Sequence, residues 1–419
     1  MSIDKYLERH ASVPAERVAG LERCGPWDHA VVIPARREEV ACLAAARAPA
    51  QTGAVVCVLV VNASEDPQDQ RQGAQLLEAV EASPQLWRGE GISLHRVGAL
   101  DVILVDCVRG DHRFGPDDGV GLARKIGGDV VLRLAQLGRL RSAWIHCTDA
   151  DARLPAAHFE RVSSLPASAN IVATVAPFWH VPGGDPQIDL ATGHYELSLR
   201  YYVAGLHFAG SAFAFHTIGS LISVSCQAYA SVRGFPRRQA GEDFYLLNKL
   251  AKLGCVRELA GPPVEIRSRR SSRVPFGTGP AVEALLAGQA LQVYDPRVFQ
   301  ALARVLRSLE QIASGEGLDA LAQLTDELDA PQLHGVLEAA HALLERYPAT
   351  QLAQRLRERF DGFRTLKLIH ELTATRWPKL AWPDAVAQAP FIGFSAELPL
   401  DDQRRALSLP YAAPHRAAR

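Results

Sequence analysis

The chain has 419 residues, with 45 Lys and Arg against 46 Asp and Glu, for a formal net charge of −1. So even a balance leaves no basic footprint for nucleic acid or for an anionic membrane. A hydrophobic content of 48% with 22% charged residues is that of a globular protein, which excludes disorder, collagen and coiled coil as descriptions of the whole chain.

The length suggests roughly two to three domains, or one large α/β domain with additions. The seven cysteines (Cys24, Cys42, Cys57, Cys107, Cys147, Cys226 and Cys255) are scattered, odd in number and set mostly in apolar runs. They read as reduced thiols of a cytosolic protein, and none has zinc spacing. The start, MSIDKYLERH, lacks an apolar core segment, so no secretory signal is expected.

In chain order, residues 1–28 read as a short helix and a linker. At 29–39 (HAVVIPARREE) an apolar run of strand length meets Pro34, and a helical stretch follows. Residues 54–61 (AVVCVLVV) form a second strand whose unbroken hydrophobicity favours a parallel sheet covered on both faces. A polar loop at 62–70, a helix at 72–82 and a strand at 102–107 come next. A helix at 119–137, a strand at 143–147 and a strand at 171–176 follow. This alternation is the doubly wound α/β pattern, in which ligands sit at the carboxyl ends of strands.

From Tyr201 to Val232 there is no Asp, Glu, Lys or Arg, a stretch long enough to span a bilayer. His207, His216 and several Ser and Gly make a buried core segment the expectation instead. Residues 180–195, rich in Gly and Pro, read as a lid or a plain connection. After about 280 strand signals vanish. Val298, Leu302, Val305, Leu309 and Ile312 recur at helical spacing, as do Leu333, Val336, Leu337, Ala340, Leu343 and Leu344. The domain boundaries expected are therefore 1–28, 29–280 and 281–419.

Three motifs carry chemistry. Thr148-Asp149-Ala150-Asp151 follows a buried strand; continued strand geometry would point both carboxylates one way, as hard oxygen ligands for Mg²⁺ or Mn²⁺. Gly241-Glu242-Asp243 opens an amphipathic helix, where acidic residues complement the macrodipole or supply a general base. Arg267, Arg269, Arg270 and Arg273 form a basic segment suited to a diphosphate or an anionic acceptor. His146 reads as a core strand residue. His216, Trp179 and His180 read as packing residues with a secondary option of sugar or acceptor contact, the last two in a loop. Trp377 and Trp382 are expected in a core.

Together these segments resemble family 2 glycosyltransferases. VVIPARREE is similar to their opening strand and loop, VLVVNAS to their second strand, GVGLARKIGGD to the helix before their DxD motif, TDADARLP to the DxD itself, and GSLISVSCQAYASVRGFPRRQAGEDFYLLNKLAKLG to the acceptor-side segment with its ED pair. The likeness spans roughly 29–280 and leaves the helical C-terminal third uncovered. It implies an α/β GT-A fold, a Rossmann-like, mostly parallel central sheet with helices on both faces, here with a helical C-terminal region. It also implies transfer of a sugar from a nucleotide-diphosphate sugar donor to a hydroxyl acceptor.

Residue roles follow from the resemblance. Pro34, Ala35, Arg36, Glu38 and Asn62 would hold the nucleotide, and Arg124 and Lys125 would face its phosphates. Asp149 and Asp151 would bind Mn²⁺ or Mg²⁺ and the sugar-nucleotide, with Asp151 the direct ligand. Asp243 would be the base of an inverting transfer, with Glu242 orienting it or touching the sugar; a retaining outcome is the alternative on the same fold. Arg270 and Arg273 would stand against the leaving diphosphate, and the arginines suggest an anionic acceptor. Asn62 stands where the family usually has Asp. The QxxRW motif of processive synthases is absent, and no membrane-spanning segment flanks the domain, so single addition is expected. A non-catalytic nucleotide- or carbohydrate-binding protein on this fold and a sugar nucleotidyltransferase are the alternatives. The C-terminal third is expected to serve as acceptor cover, homo-oligomer interface or docking surface.

Overall fold

The computed structural model describes residues 1–46, 53–110, 113–271, 277–313 and 317–408. They pack as two compact units, Met1–Val181 with Thr217–Ser268, and Pro182–His216 with Arg269–Arg419.

The first unit opens with helices α1 (Ile3–Arg9) and α2 (Val13–Glu16) and a 3₁₀ segment, Arg17–Arg23. Strand β1 (His29–Ala35), a 3₁₀ segment (Val40–Ala46), β2 (Val55–Asn62), α3 (Pro67–Glu81), β3 (Gln85–Gly89), β4 (Ile92–Val97) and β5 (Leu100–Cys107) follow. Then come α4 (Val120–Gln136), β6 (Trp144–Cys147), β7 (Ala152–Arg153), α5 (His158–Ser163), β8 (Ile171–Val175) and β9 (Phe178–Val181). After an excursion into the second unit, the chain returns as β10 (Ile222–Ser225), α7 (Cys226–Ser231), α8 (Glu242–Leu250), β11 (Cys255–Glu258) and β12 (Val264–Arg267).

Nine strands form one sheet in the order β11-β8-β10-β6-β1-β2-β5-β4-β3. Strands β6, β1, β2 and β5 are mutually parallel, and β2 is buried at every position, as its continuous apolar run requires. Only β10 and β4 run against the common direction. The fold is therefore the mixed α/β class with a mostly parallel central sheet. The hairpin β3–β4 is not among the elements read from the sequence; β3, on the sheet edge, is largely exposed, whereas β4 is buried over its first four residues. A second sheet, β7-β12-β9, braces the chain after β6.

The charge-free stretch from Tyr201 to Val232 divides between elements. It supplies the end of α6 (Pro186–Phe208), then β10, inserted antiparallel between β6 and β8, and then α7. No helix among the described residues is long and apolar enough to cross a membrane. The segment 180–195 is mostly not a loop: Asp185 caps α6 by accepting from the N–H groups of Gln187 and Ile188, so only residues 182–185 connect. Trp179 and His180 lie in β9 rather than in a loop.

The second unit is helical. Besides α6 it contains α9 (Thr278–Leu286), α10 (Pro296–Ala313), α11 (Leu318–Leu328), α12 (Pro331–Arg346), α13 (Ala349–Arg359), α14 (Gly362–Thr375), α15 (Trp382–Gln388) and α16 (Leu400–Ala406). Two-residue strands β13 (Gln292–Val293) and β14 (Leu380–Ala381) pair antiparallel. The stripe Val298, Leu302, Val305, Leu309 and Ile312 is buried against Leu197, Tyr201, Leu321 and Leu368, while Leu344 is exposed. Trp382 is buried and donates to Gln403, and Trp377 is partly buried against this core.

His146 sits in β6, fully buried, and shares a proton with Ser223 across the β6–β10 pair. His29, His158 and Phe159 pack around it, with His29 stacked on Phe159 at 4.9 Å. Both ring nitrogens of His158, Nε2 of His146 and Nδ1 of His29 are buried without a hydrogen-bond partner among the described residues. Burial pushes all three below the usual His value, His158 to about 4; Arg161 and His29 add to it at His158, whereas Asp28 and Glu160 oppose it at His29. They fold neutral, whereas the unfolded chain takes up their protons below about pH 6.5. Their contribution is complete above that pH and is lost as pH falls through it. Urea unfolding at pH 7 and pH 5 should therefore show a smaller acid loss in His158→Gln than in the parent. Equal losses would mean that the cluster does not govern acid stability.

Candidate active site

The carboxyl ends of β6, β1, β2 and β5 stand side by side. Strand β1 is the switch point, with β2 on one flank and β6 on the other, the place where open α/β sheets form their ligand crevice. The loops that leave this edge are Arg36–Arg37 after β1, Ala63–Ser64 after β2 and Thr148–Asp151 after β6.

The TDAD segment is fixed at both ends. The Thr148 N–H donates to the carbonyl of Val32 in β1 at 3.0 Å, and the Arg267 N–H in β12 donates to the carbonyl of Asp151 at 2.9 Å. The strand geometry assumed from sequence does not persist past Cys147. A turn closes instead, with the Ala152 N–H on the Asp149 carbonyl. The two carboxylates therefore belong to a turn at the sheet edge, not to one face of a strand.

Arg124, on α4, joins this turn to the ED pair. Its Nη2 donates to Oδ1 of Asp149 at 2.6 Å and its Nε to Oε1 of Glu242 at 2.8 Å. Arg124 and Glu242 are each 3% exposed, and Asp149 is 33% exposed. Burial alone would push the guanidinium pKa down, but Asp149 and Glu242 outweigh it and hold the group charged. Its Nη1 is buried with no hydrogen-bond partner among the described residues. Gly219 makes room for this side chain, because a Cβ there would lie 2.3 Å from Nη2 of Arg124.

Glu242 and Asp243 open α8 after Gly241, whose φ of 74° is left-handed. The turn sends Glu242 to Arg124 and leaves Asp243 as the next carboxyl. Burial, and then the charge of Glu242, raise Asp243 to about 7, against the pull of Arg124. A group poised there can exchange a proton near neutrality.

Among the residues expected to hold a nucleotide, Pro34 and Ala35 lie in β1, and Asn62 ends β2 almost fully buried. Glu38 is partly buried beside Cys42, whose thiol is raised to about 12 by burial and then by that carboxylate. Arg36 is engaged with Asp69, its Nε donating at 2.7 Å. Lys125 is not part of this edge. It donates to the Tyr6 hydroxyl at 2.6 Å and to Asp129 at 3.0 Å, in a buried clamp that also takes Tyr229 and the Ser12 N–H. Arg270 belongs to the second unit and pairs with Glu283 at 3.4 Å, while Arg273 lies outside the described residues. His216, also in the second unit, is lowered to about 3 by burial and then by Arg200.

Sequence reasoning missed Asp69, Arg37 and Gly219. Asp69 sits one turn into α3, where an acidic residue reads as ordinary helix chemistry. The only trace of Arg37's role is its place in the loop after β1, and Gly219 is visible only through its neighbour.

No group of three or more His, Cys, Asp or Glu able to hold a metal exists among the described residues. Asp149 and Asp151 are nevertheless suited to Mg²⁺ or Mn²⁺, hard ions that commonly take one or two carboxylates and complete their shell with water and substrate phosphates. Arg124 already takes one oxygen of Asp149.

Replacing Arg124 by Met should strand Glu242 as an uncompensated buried charge and cost about 3–5 kcal/mol of stability. Gly219→Ala should act in the same direction by displacing the same guanidinium. Urea unfolding checks both, and two variants as stable as the parent would contradict the bridge.

Neither a family model nor a curated protein sequence matches the chain. Among solved structures, it is similar to S. aureus TarS 1–349 in complex with UDP-GlcNAc, at 13% identity over 80% of this chain and 91% of that one, with a TM-score of 0.36. It is similar to GalNAc-T7 with UDP, GalNAc and Mn²⁺ at 11% identity, over 84% of this chain and 58% of that one, with a TM-score of 0.36. It is also similar to the mannosyltransferase PcManGT from Pyrobaculum calidifontis in complex with GDP-Man and Mn²⁺, at 15% identity over 89% and 92% of the two chains, with a TM-score of 0.32.

Proposed function

We propose that this chain is a metal-dependent glycosyltransferase of the GT-A type. It moves a sugar from a nucleotide-diphosphate sugar to a hydroxyl acceptor. The observation that carries the reading is the Arg124 bridge, which draws one carboxylate of TDAD and one of the ED pair onto a single buried cation beside the switch point of the sheet. The order of sequence motifs from VVIPARREE to the ED pair supports it.

In this reading the loops after β1 and β2, with Pro34, Ala35, Arg36, Glu38 and Asn62, receive the nucleotide. Asp151 holds a Mn²⁺ or Mg²⁺ ion, with Asp149 oriented by Arg124. Such an ion would supply positive charge against a departing diphosphate. Asp243 takes the proton of the acceptor hydroxyl as its oxygen attacks the anomeric carbon from the face opposite the diphosphate, which inverts the centre. Glu242, fixed by Arg124, keeps Asp243 in place and raises its proton affinity.

The test is release of nucleoside diphosphate from UDP-, GDP- and dTDP-sugars with Mn²⁺ or Mg²⁺, read against chelator. Release should come from one base class, stop with chelator and fall about 10²–10⁴-fold in Asp243→Asn. Normal turnover in Asp243→Asn would remove the base assignment.

The pH dependence has a definite sign. The base must be ionised, so turnover should rise as pH increases through about 7. The same raised pKa means that ionising Asp243 costs folded-state stability as pH climbs from the ordinary carboxylate range to about 7. Asp243→Asn should therefore melt higher than the parent at pH 8 and lose that advantage near pH 4. A variant that is both inactive and less stable at pH 8 would contradict this.

A further inference from the structure

One carboxylate at the ligand edge has no part in the chemistry above. Asp69, in the first turn of α3, has a side chain with no solvent exposure. It accepts from Nε of Arg36 at 2.7 Å, from Nε of Arg37, and from the Ser64 hydroxyl at 2.6 Å and N–H at 3.3 Å. Arg36 and Arg37 follow β1, and Ser64 follows β2. Two loops from neighbouring parallel strands are thus tied to one buried anion at the sheet's carboxyl edge.

The tie also holds a strained backbone. Arg37 has φ 56°, a left-handed conformation that is unfavourable for an L-residue. Its Nη2 lies 3.5 Å from Asp66 as well. Two guanidinium groups share one buried carboxylate, and their side chains remain 28% and 32% exposed. Burial would raise the Asp69 pKa, but the bonds from Ser64, Arg37 and Arg36 outweigh it and hold the carboxyl below its ordinary range. The anion therefore persists throughout neutral pH.

We propose that Asp69 is a positioning residue for the donor: it presets Arg36 and Arg37, together with the Ser64 loop, as a rim that receives the diphosphate of a nucleoside diphosphate. The proposal rests on the transferase reading. A rim set before the ligand arrives spares the ordering cost that two long cationic side chains would otherwise meet on binding. Asp69→Asn keeps the shape and removes the charge that gathers the guanidinium groups.

The test is calorimetric titration of the full chain with UDP, GDP and dTDP, in Mn²⁺, alongside uridine, guanosine and thymidine. Asp69→Asn should weaken the diphosphate about tenfold or more while leaving the nucleoside unchanged, and Asp69→Glu should recover part of the loss. Ser64→Ala, a milder cut into the same network, should lose affinity in the same direction. A folded Asp69→Asn that binds the diphosphate as the parent does overturns the proposal, as does equal loss for nucleoside and diphosphate, which marks a merely structural role. Should Asp69→Asn fail to fold, unchanged diphosphate affinity in Ser64→Ala overturns it. If the parent itself binds none of the three diphosphates, the transferase reading fails first and takes this proposal with it.

Discussion

One buried cation organises the ligand edge of this protein. Arg124 reaches from α4 to Asp149 in the turn after β6 and to Glu242 at the start of α8. Without it, two acidic segments 25 and 118 residues away in the chain would meet as uncompensated charges in a poorly solvated place. With it, each carboxylate has a partner, and the turn and the helix acquire a fixed relation. The glycine at 219 and the left-handed turn at Gly241 are local consequences, one clearing the path of the guanidinium and the other aiming the helix.

Electrostatics then divides labour among the acids. Asp149 and Glu242 are spent on Arg124, Asp69 on Arg36 and Arg37, and Asp129 on Lys125 and two tyrosines. Asp243 receives little of this compensation, and burial beside Glu242 raises its proton affinity toward neutrality. The same environment that makes it a plausible base makes its charge a burden on the fold. Such opposition between activity and stability is expected where a group is held in an unfavourable ionisation state for use.

Much of the sheet was legible in the sequence because buried parallel strands leave unbroken apolar runs, as in Val55–Asn62. The exposed edge strand Gln85–Gly89 left no such trace, and the antiparallel insertion of β10 has no local signature at all. Helix periodicity placed the Val298–Ile312 stripe in the core, but not which way Leu344 would face. At the ligand edge, motif spacing led to Asp149, Asp151, Glu242 and Asp243. It placed Lys125 with the phosphates, whereas a tyrosine from the N-terminal helix and Asp129 hold it elsewhere. Pairings across more than a hundred residues depend on the folded chain, and so Asp69 and Gly219, whose roles are defined only by what they touch, stayed silent.

The central claim is that this edge holds a nucleotide-diphosphate sugar with a divalent cation. The most direct measurement is the melting temperature of the pure protein against UDP-, GDP- and dTDP-sugars, each with Mn²⁺, with Mg²⁺ and with chelator. A ligand that binds only the native state must raise that temperature by mass action. A rise with one nucleotide class, present with metal, absent with chelator and lost in Asp151→Ala, is the result predicted here. No rise with any donor under any condition would contradict the claim and leave only the α/β fold.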